Sequence, residues 1–287
     1  MQTYHGPLRG VVFDWAGTVL DYGSRAPVLA VMRTFSDSGV PVTMEEARGP
    51  MGMAKRDHIN ALFKLPRIRD RWRQVHGEAP GEQAVEKIYH AFLETQQGFL
   101  VENAELIPGC LDAIAECRRR NLALGSSTGY TAELMDLLIP AARRQGLEFD
   151  AVVCADDVPQ GRPAPWMCLE NAKRLGVYPV HALVAVDDTP VGIEAGLNAG
   201  MWTIGIVKSG NSVGLTEEEF DALSADKQRS LLAVGTKQLH EAGAHFLIDT
   251  VADLSTALDQ IDQCLSEGLT PQMPRARFKS PSLAGRG

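Results

Sequence analysis

Short apolar segments recur along the chain, and most are separated by stretches whose apolar residues have helical spacing. The segments are rich in Val, Ile and Leu and end in polar residues, as buried strands of a parallel sheet do. The pattern predicts strands at Gly10–Asp14, Leu122–Ser127, Ala151–Ala155, Leu183–Asp187, Trp202–Val207 and Phe246–Ile248. Alternating strands and helices predict an α/β fold built on a doubly wound parallel sheet.

The interval between the first two predicted strands breaks this alternation. It spans about 107 residues, although a parallel crossover needs only about a dozen. Within it, Thr43–Glu46 has the spacing of a capping box and predicts a helix that Gly49-Pro50 interrupts. A second helical stretch runs from Met53 to about Phe63 and is expected to end before Pro66. We therefore expect a small helical domain, the cap, inserted over residues 24–103.

The length of 287 residues is consistent with two domains or with one domain carrying a large insertion. We predict that residues 1–23 and 104–268 form the α/β core and that residues 24–103 form the cap. Residues 269–287 are rich in Pro, Gly and basic side chains, a composition that predicts a disordered tail.

The net charge of the chain makes some classes of binding partner unfavourable. The formal net charge is -8 and the pI is near 5.4, so nucleic acid and anionic membrane would repel the chain. No apolar run approaches the length of a membrane span, because Val11–Leu20 carries Asp14 in its middle. The five cysteines include no C-x-x-C pair, which favours reduced thiols over disulfides or zinc. A cytoplasmic location is expected.

Asp14 directly follows the first predicted strand. A carboxylate at the carboxyl end of a central strand lies where open α/β sheets bind ligands, and it can act as a nucleophile. A strand-terminal Asp can equally cap the following turn. Taken alone, this residue leaves both roles open.

Three later segments carry further candidate chemistry. Gly125–Gly129 offers hydroxyls and backbone amides that suit phosphoryl oxygens, although Ser and Gly clusters are common in ordinary loops. Gly161–Pro165 holds Arg162 in a proline-stiffened turn before a helix, where it can pair with a phosphate. Asp187 and Asp188 end another strand, and one of them can join Asp14 around a hard cation such as magnesium.

In order and spacing, these segments resemble the haloacid dehalogenase superfamily of phosphotransferases. The resemblance implies a Rossmann-like core with a helical cap, magnesium dependence and an aspartyl-phosphate intermediate. It assigns Asp14 as nucleophile and metal ligand, Ala16 as a ligand through its carbonyl, and Asp188 as the remaining protein ligand. It also assigns the phosphate contacts to Thr128, Gly129 and Arg162.

Two positions depart from the superfamily pattern. Most of its phosphatases have a second Asp two residues after the nucleophile, which protonates the leaving oxygen, whereas this chain has Ala16. General acid catalysis typically contributes about 10²–10⁴-fold, so an alkoxide leaving group would depart unassisted. A further acid is usual about four residues after the metal-binding Asp, whereas this chain has Gly192, which leaves the metal ligand set open.

Lys55 and His58 lie three residues apart in the predicted cap helix, so they share one face. An amine near a reactive centre can condense with an aldehyde, and the resulting iminium accepts the electrons of a breaking bond. An exposed lysine beside an ordinary histidine is the simpler interpretation of this segment alone. The absence of an acid at position 16 favours the chemical role.

With this lysine included, the chain closely resembles the phosphonoacetaldehyde hydrolase family. The similarity rests on Phe13–Thr18, Arg48–His58, Gly125–Thr131, Asp156–Met167, Asn198–Gly205 and Gly214–Glu219. It implies that Lys55 forms a Schiff base with phosphonoacetaldehyde, that Asp14 takes the phosphoryl group, and that the protein is a homodimer. Met51 and His58 are expected near the lysine and Tyr130 near the substrate. Ser24 stands where members of the family often have Cys.

Three other functions remain possible from the sequence. A haloacid dehalogenase also uses a strand-end Asp, but it needs no metal and would leave Lys55 and Asp188 without a role. A sugar-phosphate phosphatase of the same fold would release phosphate from monoesters. An inactive phosphate-binding module would retain Asp14 and Arg162 but form no phosphoenzyme, and Ala16 and Gly192 favour that alternative.

Overall fold

A single parallel sheet of six strands forms the centre of the molecule. The computed structural model describes residues 4–273. The strands are β1 (Gly10–Phe13), β2 (Ala123–Ser127), β3 (Ala151–Val153), β4 (Leu183–Asp187), β5 (Trp202–Ile206) and β6 (Phe246–Ile248). Their spatial order is β3-β2-β1-β4-β5-β6, and every neighbouring pair is parallel. The order reverses between β1 and β4, which is where such sheets bind ligands.

Twelve α-helices accompany the sheet in the described part of the chain. The first five, which lie in the predicted insertion, are α1 (Ala26–Asp37), α2 (Met44–Arg48), α3 (Lys55–Lys64), α4 (Pro66–His76) and α5 (Glu82–Glu102). The other seven are α6 (Cys110–Arg119), α7 (Ala132–Arg144), α8 (Trp166–Arg174), α9 (Pro190–Ala199), α10 (Glu217–Asp221), α11 (Ala225–Ala242) and α12 (Leu254–Ser266).

Both faces of the sheet are covered, because side chains on a strand alternate in direction. Val11 and Phe13 pack into the larger core, which α6, α7 and α12 complete. Val12, between them, packs on the opposite face with residues of α8 and α9. When both faces of a strand are buried, the residues on both faces are apolar, so the sequence shows a continuous apolar run rather than alternating polar and apolar residues.

The first five of the six helices between β1 and β2 surround an apolar core of their own. Phe35 of α1, Leu62 of α3, Trp72 of α4 and Phe92 of α5 are among its buried members. α2 begins with the predicted capping box, in which Thr43 accepts a hydrogen bond from the Glu46 amide and its own amide donates to the Glu46 carboxylate. These helices fall within the range expected for the cap.

The observed strands match the predicted ones to within two residues, and α3 begins two residues later than expected. The predicted tail starts at Leu269, but Leu269 and Met273 pack against the main core. Residues 274–287, the rest of that prediction, lie outside the described residues. No helix among residues 4–273 is long and apolar enough to span a membrane.

Candidate active site

Three carboxylates meet at the carboxyl ends of two adjacent strands. β1 and β4 pair so that Phe13 lies beside Val186, and the amide of Asp14 donates a 2.9 Å hydrogen bond to the carbonyl of Val186. This pairing brings Asp14 next to Asp187 and Asp188, although more than 170 residues separate them in sequence. All three are at least 93% buried.

A cleft between the core and the cap is lined by Asp14 and Asp188 from the core and by Lys55 from the cap. It brings together nearly all of the residues that the sequence pointed to. The predicted site residues that line it are Asp14, Ala16, Met51, Lys55, Thr128, Gly129, Tyr130, Arg162 and Asp188. Ser24 also lines the cleft.

Arg162 contacts Asp14, the candidate nucleophile, and also contacts Asp187 and Ser127. Its Nη1 lies 2.8 Å from Asp14 Oδ1 and 3.1 Å from Asp187 Oδ2. Its Nη2 donates to both the carbonyl and the hydroxyl of Ser127, at 2.8 Å each. Burial raises the pKa of Asp14 to about 7 against the opposing effect of Arg162, and Asp187 raises it further. The guanidinium therefore favours the ionised, nucleophilic form of Asp14.

The three carboxylates fit a hard divalent cation. One oxygen from each of Asp14, Asp187 and Asp188 lies within 4.8 Å of the others. Asp188 Oδ2 accepts a 2.7 Å hydrogen bond from the Asn211 amide. Its buried Oδ1 has no hydrogen-bond partner on any other described residue. An unpaired buried carboxylate oxygen is costly, and oxygen-only ligand sets are those that magnesium and calcium prefer.

Lys55 is the first residue of α3 and only 5% exposed. Its Nζ lies 5.2 Å from the ring centre of Tyr130, on the core, and 5.9 Å from that of Phe92, in the cap. Burial lowers its pKa to about 8, although Asp14 opposes the shift, and Arg162 lowers it further. A buried amine with a depressed pKa is a candidate nucleophile rather than an exposed lysine.

His58 is one turn further along α3 and is completely buried. Burial, and next the charge of Lys55, lower its pKa to about 3, so the imidazole is neutral. It shares the buried face of the helix with Lys55, as the spacing predicted, but it is not among the residues that line the cleft. Lys55, which is nearer the start of α3, reaches the cleft.

Small residues allow the segment before Lys55 to approach the core closely. A Cβ at Gly129 would lie 2.9 Å from the carbonyl oxygen of Met53, and a Cβ at Gly161 would lie 2.9 Å from the Cβ of Ala54. Gly52 has φ +86°, and a side chain there would overlap Thr189. These close approaches accompany the placement of Lys55 in the same cleft as Asp14 and Asp188.

Two residues of the site were not assigned from the sequence. Asp187 forms an ion pair with Arg162. Ser127 accepts a hydrogen bond from the same guanidinium. The paired acids at 187 and 188 were a usable signal, but their spacing does not indicate that the two side chains take different partners. Ser127 was one hydroxyl among several in a Ser-rich strand end.

Comparison with known proteins shows the family to which the chain belongs. Residues 8–200 match the family model of haloacid dehalogenase-like hydrolases. A phosphonoacetaldehyde hydrolase of Syntrophobacter fumaroxidans is 46% identical over 268 residues, which cover 93% of this chain and 97% of the relative. The phosphonoacetaldehyde hydrolase of Hahella chejuensis is 43% identical over 93% of this chain and 91% of its own length. This chain belongs to the phosphonoacetaldehyde hydrolase family.

The similarity extends to the three-dimensional structure of the family. The crystal structure of a phosphonoacetaldehyde hydrolase-like protein from Oleispira antarctica superposes with a TM-score of 0.93 at 39% identity, covering 94% of this chain and 98% of the other. The family resemblance and the fold predicted from the sequence are therefore confirmed. In this chain, the lysine that starts α3 and the aspartate that follows β1 line one cleft.

Proposed function

We propose that this protein hydrolyses the carbon–phosphorus bond of phosphonoacetaldehyde to give acetaldehyde and phosphate. The observation that carries the proposal is that Lys55, Asp14 and Ala16 line one buried cleft. An amine and a carboxylate are present, but no acid occupies position 16. Two relatives that match nearly the whole chain bear the name of this activity.

In the first step, the neutral amine of Lys55 adds to the aldehyde carbon. Uptake of one proton and loss of water leave a protonated imine, and the later hydrolysis of that imine consumes one water and releases the proton. A lysine with pKa 10.5 is neutral in only about one molecule in 3,000 at pH 7, whereas a pKa of about 8 makes roughly one in ten neutral. Tyr130 and Met51 line the cleft beside this amine and are proposed to contact the two-carbon chain.

In the second step, the carboxylate of Asp14 attacks phosphorus and the carbon–phosphorus bond breaks. The bonding electrons pass to carbon and into the iminium, giving an enamine on Lys55 and an aspartyl phosphate. Arg162 stabilises the phosphoryl oxygens by charge, and Thr128 and Gly129, at the end of β2, are proposed to contact them. The phosphoryl group remains within reach of these residues because they line the same cleft.

The leaving group explains why alanine is tolerated at position 16. A departing alkoxide needs a proton, and the usual acid supplies it. Here the departing atom is carbon, and the iminium nitrogen takes up the negative charge as the bond breaks. Protonation of the enamine carbon and hydrolysis of the imine release acetaldehyde, and a second water molecule releases phosphate from Asp14.

The metal of this site is proposed to be magnesium. Asp14, Asp188 and the carbonyl of Ala16 are the groups proposed to hold it. Bound magnesium would neutralise charge on the phosphoryl oxygens and orient them for in-line attack. His58, neutral and on the same buried face of α3 as Lys55, is proposed to help exclude water beside the amine, because desolvation is the main effect that lowers the pKa of Lys55.

Turnover with two substrates tests the proposal. Purified protein with magnesium is incubated with phosphonoacetaldehyde, and acetaldehyde is measured through a coupled dehydrogenase while phosphate is measured separately. We expect equimolar acetaldehyde and phosphate, and poor activity on glucose 6-phosphate. Equal rates on both substrates would reject the substrate assignment, and halide release from a haloacid without metal would indicate a dehalogenase.

We further propose a cytoplasmic homodimer without nucleic-acid or membrane partners, on the family resemblance and the net charge of -8. Trp166 is 46% exposed and Tyr178 is 83% exposed, and exposed aromatic side chains are common at protein interfaces. Light scattering after size-exclusion chromatography is expected to give twice the chain mass of 31.1 kDa.

A further inference from the structure

The side chain of Asp187 fills the space above Gly192. Gly192 lies in the first turn of α9, and a Cβ built there would overlap the carboxylate of Asp187. Gly192 is also the position at which the superfamily resemblance led us to expect an acid. The two positions therefore share one volume, which only one side chain can occupy.

The two oxygens of Asp187 have separate partners. Oδ1 accepts from the amide of Thr189 at 2.9 Å and from its hydroxyl at 2.7 Å. Oδ2 lies 3.1 Å from Nη1 of Arg162. The hydroxyl of Thr189 in turn accepts from the amide of Gly192 at 3.2 Å. One oxygen is thus anchored to the start of α9, and the other is directed at the guanidinium.

We propose that Asp187 is a positioning residue for Arg162, supplied from the end of β4 because Gly192 leaves that space free. The inference rests on the proposed function, in which Arg162 stabilises the phosphoryl group. Asp14 is the other carboxylate on Nη1, but the reaction converts it to an acyl phosphate. Asp187 is not modified in the proposed reaction, so it can hold Arg162 in place when Asp14 no longer does.

A cycle of substitutions at the two positions tests this. The variants are Asp187→Gly, Gly192→Asp and Asp187→Gly/Gly192→Asp, with Asp187→Asn as the isosteric variant. Isothermal titration calorimetry measures the affinity for inorganic phosphate in saturating magnesium and, separately, the affinity for magnesium. Asp187→Gly and Asp187→Asn are expected to weaken phosphate binding about tenfold or more, because a hydrogen bond between charged groups is lost.

The double variant discriminates most sharply. Gly192→Asp alone is expected to weaken phosphate binding, because two side chains would compete for one volume. Combined with Asp187→Gly, the same substitution is expected to recover at least half of the lost phosphate affinity on a logarithmic scale, because the new carboxylate enters the vacated space. Gly192→Ala serves as the steric control: it should be harmful beside Asp187 and harmless beside Gly at position 187.

Two results would overturn the proposal. A double variant no better than Asp187→Gly would show that the two positions do not share a function. A loss of magnesium affinity as large as that caused by Asp188→Ala, with phosphate affinity unchanged, would make Asp187 a metal ligand instead. Phosphate binding does not require cleavage of phosphonoacetaldehyde, so the cycle remains informative even if the proposed reaction fails.

Discussion

The Nζ of Lys55 lies 5.2 Å from the ring centre of Tyr130. The lysine belongs to the cap and the tyrosine to the loop after β2, so the pair joins the two parts of the molecule at the cleft. A cation over an aromatic face favours the protonated amine, but burial outweighs this contact and lowers the pKa of Lys55 to about 8. The position of the amine therefore depends on how closely the cap approaches the core.

Asp14→Asn is expected to abolish phosphate release. The amide is nearly isosteric with the carboxylate but is a poor nucleophile, so a loss of about a thousandfold or more is expected. Phosphate release over hours measures the residual rate, and circular dichroism controls for the fold. Turnover close to wild type would exclude an aspartyl phosphate at this residue.

Lys55→Arg is expected to lose nearly all activity, because a guanidinium does not form an imine. In the wild-type protein, borohydride added together with phosphonoacetaldehyde should inactivate the enzyme, whereas borohydride alone should not. Peptide mass spectrometry should locate a two-carbon adduct on Lys55. The exposed Lys64 and Lys87 are internal controls, and an adduct on either of them would contradict the assignment.

The rate of imine formation is expected to rise with pH up to about 8 and then level off. Only the neutral amine attacks the aldehyde, and the pKa of Lys55 is lowered to about 8. Below that value the neutral fraction, and with it the rate, should fall about tenfold per pH unit. Borohydride trapping in single-turnover mixtures between pH 6 and 10 measures the profile. A rise that continues to pH 10 would indicate a lysine with an unperturbed pKa.

Lowering the pKa of Lys55 also affects stability. The unfolded chain binds more protons than the folded one between pH 8 and 10.5, so this group makes the free energy of unfolding rise with pH across that window. Below pH 8 the amine is charged in both states, so the full cost of burying the charged amine lowers the free energy of unfolding. Lys55→Met is therefore expected to raise the free energy of unfolding at pH 7 by on the order of 1–3 kcal/mol. Urea denaturation checks this, and a destabilised Lys55→Met variant would contradict the assigned burial penalty.

Asp188→Ala is expected to raise the magnesium concentration needed for half-maximal activity by at least about tenfold, because one of few charged ligands is removed. Magnesium titration of the steady-state rate provides the measurement. An unchanged requirement would shift the metal ligand to Asp187. Activity that returns at saturating magnesium separates weakened metal binding from a general loss of activity.

Gly161→Ala tests the close approach of the cap. The new methyl group would lie 2.9 Å from the Cβ of Ala54, next to Lys55. Because misplacing a reacting group by about 1 Å can reduce the rate by about 10²-fold, we expect kcat to fall at least tenfold while the fold is kept. Gly98→Ala, in α5, is the matched control because its Cβ would meet nothing within 4 Å. Equal kcat values for the two variants would refute a role for this contact.

The sequence by itself determined the sheet, the insertion and most of the residues of the cleft. Strands buried on both faces must be apolar, so local composition predicts their positions. A carboxylate that directly follows such a strand is expected at the carboxyl end of the sheet. The helical spacing of Lys55 and His58 likewise predicted that the two side chains share one face of a helix. Local rules suffice in these cases because the side chain's position follows from the element that carries it.

Only the tertiary structure decided which side chains meet. Strand order places β4 beside β1, and this brings Asp187 within 3.1 Å of Arg162, a pairing that no local pattern encodes. The depressed pKa of Lys55 likewise requires the cap to exclude water from the cleft. Ion pairing and desolvation depend on distances between segments far apart in the chain, and those distances are fixed only when the cap and the core pack together.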